Sequence, residues 1–145
     1  MQTQPWSISK KAQTANARPG MLTFGQLVGV SLIGILFWFA AAMTVRFAGP
    51  VGLFGPIASI VTFAVSIPIC WLSVWLIKKL VQLGVGQTLP GVALGLVVAT
   101  WLDGIGLTWG NGLYGTDPTV TTLGAAWILW GVGLFLIFAY REDLR

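Results

Sequence analysis

The stretch Gly91-Val-Ala-Leu-Gly95-Leu-Val-Val-Ala99-Thr-Trp-Leu-Asp103 decides the fold. Small residues recur in it at every fourth position, and the next position on that stripe is a carboxylate. On a helix, positions four apart lie one above another, so Gly91, Gly95, Ala99 and Asp103 share one face. Small residues at this spacing let a second helix approach closely. The carboxylate at the end of the stripe then points at that neighbour and away from lipid.

The rest of the chain fits that reading. Of 145 residues, 56% are hydrophobic and only 8% are charged, and the mean hydropathy is +0.85. A soluble domain carries roughly 25% charged residues, so lipid is the expected solvent. The net charge of +4 comes from basic residues grouped at the ends of apolar runs. That grouping suits membrane topology and anionic headgroups, and no nucleic-acid partner is expected.

There are no histidines and one cysteine, Cys70, inside an apolar run. A bis-histidine haem, a histidine-ligated chlorophyll, a zinc site and an internal disulfide are therefore not expected. Any pigment would need another ligand. Cys70 reads as a small buried hydrophobe. No phosphate-binding loop or nucleophile elbow is present, and the glycines of Gly104-Ile-Gly106 and Gly110-Asn-Gly112 read as turn or packing residues.

Residues 1–20 are polar and contain Lys10, Lys11 and Arg18 before the Pro19-Gly20 break. This reads as a tail, with Trp6 and Ile8 as interfacial anchors. A signal peptide is the competing reading, with Ala40-Ala41-Ala42 as its cleavage site. The uncharged run Met21–Val45 is 25 residues long, whereas a signal core has about 7 to 15. We read it as an uncleaved first span, 21–45.

A short apolar turn follows, punctuated by Pro50 and Gly55-Pro56. The second span, 57–77, stops at Lys78-Lys79 and contains Pro68, where a kink is expected. Thr88 is the expected N-cap of the third span, 89–109, and Pro90 suits its first turn. The loop Gly110–Thr116 is followed by Asp117-Pro118, a cap signal for the fourth span, 118–140. Residues 141–145 form a polar tail. Each span is long enough for a hydrocarbon core of about 30 Å. Trp71, Trp75, Trp109 and Tyr140 stand near span ends and read as interface anchors.

Four spans in an up-down bundle put both termini on one side. Seven basic residues then lie with them, and Arg46 alone lies opposite. By the positive-inside rule the termini face the cytoplasm of a bacterial inner membrane. Asp103 and Arg46 fall at similar depths in the outer half. An unpartnered carboxylate in a membrane costs at least about 2.5 kcal/mol, so an Arg46–Asp103 ion pair between the first and third spans is the natural expectation. The plainest role of such a pair is to hold the bundle together. The alternatives are a proton- or substrate-linked role for Asp103, and simple contact of both groups with headgroup water. Trp101, Trp127 and Trp130 read as packing or lipid-facing residues; a cation-binding cage is the alternative.

Two stretches carry a family resemblance: Leu36-Phe-Trp-Phe-Ala-Ala-Ala-Met-Thr-Val-Arg46-Phe-Ala-Gly, and the pair Trp101-Leu-Asp103 with Gly124-Ala-Ala-Trp-Ile-Leu-Trp-Gly131. They resemble an uncharacterised bacterial family of small four-helix membrane proteins, a domain of unknown function. The likeness spans residues 24–140. The tail before Met21 and the glycine-rich loop after Trp109 depart from it. The resemblance implies four helices with an arginine and an aspartate at these places, and no established activity.

The expected function is that of a non-catalytic accessory or structural subunit of a larger membrane assembly, with lipids and other transmembrane subunits as partners and no metal or cofactor. The alternative is a small proton-coupled transporter using Asp103. Four-helix dimeric multidrug exporters are of this size, but their membrane acid lies in the first helix.

Overall fold

The computed structural model describes residues 20–110 and 112–145, and the expected tail with Trp6 and Ile8 lies outside them apart from Gly20. Four long helices are present: α1 (Phe24–Ala48), α2 (Pro56–Val81), α3 (Thr88–Trp109) and α4 (Pro118–Asp143), and the described residues contain no strand. With 22 to 26 residues each, every helix is long and apolar enough to cross a membrane. At 1.5 Å per residue their lengths are about 33 to 39 Å.

The helix ends differ from the expected spans in instructive ways. Helix α1 starts at Phe24 because Thr23 and Gln26 form a reciprocal capping box, which supplies partners for two backbone N–H groups. It then runs past Arg46 to Ala48 and widens into a π-helical turn, Gly49–Leu53, that ends through Gly52 at φ 100. A left-handed φ of that kind is open to glycine at little cost. Asp117 caps α4 through Thr119 and Val120 N–H.

Thr88 is not the N-cap of α3; it is the first helical residue, and Gln87 before it caps with no side chain. The orphan N–H groups of Thr88 and Leu89 bond instead to the Asp143 carboxylate, at 3.1 and 2.8 Å. A carboxylate there also complements the positive end of the helix dipole. Residues 141–143 are accordingly the last part of α4 and no free tail.

The helices associate as two co-directional pairs. An offset of 61 residues joins Gln26 to Gln87 by a hydrogen bond. The same offset brings Val30 against Gly91 and Gly34 against Gly95, so α1 and α3 run the same way. An offset of 64 joins Ser66 to Trp130 and Lys78 to Glu142, which aligns α2 with α4.

The α1–α3 seam is the tightest contact. A Cβ on Gly34 would run into the Gly95 carbonyl oxygen, and one on Gly95 would sit 3.0 Å from the Val30 oxygen. Two backbones in contact give many small dispersion gains, the main source of helix association where lipid removes the hydrophobic drive. In the second pair, Trp130 donates to the Phe63 carbonyl and to Ser66 Oγ. These groups lie one turn ahead of Pro68, where α2 lacks a backbone donor.

Candidate functional site

Asp103 lies six residues before the end of α3, about 9 Å from it along the axis. It is buried at 8% exposure, as are Gly91, Gly95 and Ala99 on the same stripe. What meets the carboxylate is the hydroxyl of Tyr114, which donates to Asp103 Oδ1. Trp38 of α1 donates in turn from Nε1 to the Tyr114 oxygen at 2.9 Å. One phenol thus accepts from α1 and donates to α3.

Tyr114 belongs to the connection between α3 and α4, yet it is only 2% exposed. The connection folds back between the helices. Gly106, one turn beyond Asp103, makes room, since a Cβ there would lie 3.0 Å from the Tyr114 ring. Ala42, Val45 and Phe54 close the pocket as an apolar cluster with Tyr114. Burial foremost, then the Asp103 bond and charge, push the phenol above its usual titration range, while the Trp38 bond acts against this. Tyr114 therefore stays a donor throughout the neutral range.

The expected Arg46–Asp103 ion pair is not formed. Arg46 is exposed and donates from Nη1 to the Gly112 carbonyl oxygen at 2.8 Å, with its guanidinium 5.8 Å from the Phe47 ring centre. A guanidinium at a helix end reaches water and headgroups at low cost, whereas a buried pair would desolvate both charges. A neutral hydroxyl satisfies the carboxylate without a second buried charge. Arg46 acts two residues away, on the loop that carries Tyr114.

No protein-family model, curated protein or solved structure matches the chain.

The remaining candidates are dispersed. Trp75, Trp109 and Tyr140 are exposed toward helix ends, whereas Trp71, also exposed, lies nearer the middle of α2 because that helix runs on to Val81. Trp101 is 73% exposed on the outer face of α3, Trp127 packs on Phe54, and Trp130 bonds to α2. An apolar cavity of about 40 Å³ lies among all four helices, walled by Val30, Phe37, Gly95, Ala99, Ile77 and Phe135 among others. Ala99 puts its upper wall one turn below Asp103. Among the described residues no group of His, Cys, Asp and Glu is arranged to hold a metal ion, and Cys70 is a buried free thiol.

Tyr114 and Trp38 were missed from sequence. Tyr114 is the one tyrosine between α3 and α4, set in a glycine-rich loop whose other side-chain donors are Asn111 and Thr116. Since a membrane carboxylate needs a donor, that lone phenol near it in sequence was the available signal. Weighing charge above burial led to Arg46 instead.

Proposed function

We propose that the chain is a non-catalytic integral membrane protein of the bacterial inner membrane, an accessory or structural subunit of a larger membrane assembly. It crosses the membrane four times as an up-down bundle with both termini cytoplasmic. One observation carries the functional reading. Asp103, the one acid in the interior of a long apolar helix, is buried and accepts from Tyr114, which in turn accepts from Trp38. Through Tyr114, α3, α1 and the connection after α3 are joined, as by a structural fastening.

The topology is supported by which ends meet. Gln26, Gln82, Gln87 and Asp143 gather at one end, and Arg46, Gly112 and Tyr114 at the other. Lys78, Lys79, Arg141 and Arg145 all belong to the first end, which agrees with a cytoplasmic placement.

Extraction of the chain from its own membrane in mild detergent, followed by native mass spectrometry, tests the reading. A stoichiometric complex with other transmembrane chains is expected. An isolated chain whose expression confers uptake or drug resistance, lost in Asp103→Asn, overturns it in favour of proton-coupled transport.

A further inference from the structure

The end of the bundle that holds Lys78 carries a charge pattern that the fold does not use up. Lys78 Nζ bonds Glu142 Oε1 at 2.9 Å, and Arg145 lies 3.7 Å from the same carboxylate. Asp143 is engaged by the first turn of α3. Both acids of this end are therefore committed, and Lys79 and Arg141 have no ion-pair partner among the described residues.

The Lys78–Glu142 bridge fixes where those two cations point. Helices α2 and α4 run the same way, and each residue turns 100° about its axis. One step forward from Lys78 and one step back from Glu142 therefore swing to the same side of the helix pair. The opposite steps lead to Ile77, which is buried, and to Asp143, which caps α3. That opposite side is the core. Lys79 and Arg141 thus share the outer face, and both are exposed.

Below them on that face the surface is apolar and aromatic. Lys79 Nζ lies 5.1 Å from the centre of the Trp75 ring. Trp75, Leu72 and Ile137 are exposed toward the lipid.

We propose that this face binds an anionic phospholipid. Its phosphate sits between Lys79 and Arg141, and an acyl chain lies along Trp75, Leu72 and Ile137. Two exposed cations above an apolar seam match a phosphodiester above a hydrocarbon chain. Arginine offers a fork to the phosphate oxygens, and lysine a point charge. The inference does not depend on any protein partner.

Native mass spectrometry of the full chain in neutral detergent, titrated with phosphatidylglycerol or with phosphatidylcholine of the same chain length, tests it. Wild type is expected to hold phosphatidylglycerol about thirtyfold more tightly, as two basic residues near an anionic headgroup warrant. The double variant Lys79→Gln/Arg141→Gln should lose that preference, Lys79→Arg/Arg141→Lys should keep it, and Arg46→Gln at the far end should leave it intact. Equal binding of the two lipids by wild type overturns the proposal. So does a preference that survives in the double glutamine variant, disappears in Arg46→Gln, or is not rescued by the charge-keeping exchange.

Discussion

The two ends of the bundle solve the same problem with opposite means. At the Tyr114 end the buried Asp103 of α3 and the half-buried Trp38 of α1 meet at the buried hydroxyl of Tyr114, in the connection after α3. At the Lys78 end the bonds are spread over Gln26, Gln87, Lys78, Glu142 and Asp143, whose side chains are all half-buried and partly open to solvent. A concentrated, dry network stands or falls with each member, because an unsatisfied buried group costs its full desolvation. A dispersed, wet one loses little with any single bond, since water replaces the partner and exposed ion pairs are worth at most about 1 kcal/mol. Rigidity should therefore be greatest around Tyr114, and tolerance greatest around Lys78.

The largest effect should come from the seam that joins the two ends. In Gly34→Val the new side chain meets the Gly95 backbone, and neither helix can yield without moving the other. Overpacking of this kind costs about 3 kcal/mol or more. Size-exclusion profiles in detergent should show loss of the folded monodisperse species, and a wild-type profile would remove the close α1–α3 contact from the account.

Next in size is Tyr114→Phe, which leaves both the Trp38 N–H and Asp103 short of a partner. About 2 to 3 kcal/mol of stability should be lost at neutral pH, read as a lower melting temperature. The pH dependence carries a second signature. The folded-state phenol is shifted upward, so its contribution is complete below the ordinary phenol range near about 10. It is lost as pH rises beyond that range toward the folded value. Wild type should therefore lose more stability than Tyr114→Phe between neutral and strongly alkaline pH; parallel profiles would contradict a buried, bonded phenol.

The dispersed end should answer more mildly. Asp143→Ala removes the two bonds that cap α3, worth about 1 kcal/mol. Hydrogen exchange should quicken at Thr88 and Leu89 and leave the Tyr114 end unchanged. Equal loosening at both ends would mean that they are not independent.

The membrane class and the helix content were legible because they rest on composition and on run length, which tertiary contacts hardly alter. The start of α4 was legible because Asp117-Pro118 acts on its own neighbours. Thr88 misled because its helix is capped from Asp143, 55 residues away, and no local motif signals a partner at that distance. Asp103 stood out in the sequence as the acid in an apolar run, and it is buried. Its partner was misassigned because opposite charge looks stronger on paper than a neutral donor, while burial favours the neutral one. The return of Tyr114 into the core depends on space beside Gly106, which is a property of the packed helices and absent from the loop's own residues.

A double-mutant cycle in detergent tests the central claim, that Asp103 is held by Tyr114 and not by Arg46. Melting would be compared for wild type, Asp103→Ala, Tyr114→Phe, Arg46→Ala and the two doubles containing Asp103→Ala. A coupling of about 1 to 3 kcal/mol between Asp103 and Tyr114, with less than about 0.5 kcal/mol between Asp103 and Arg46, is the result expected. The reverse ordering, with the larger coupling to Arg46, would contradict it.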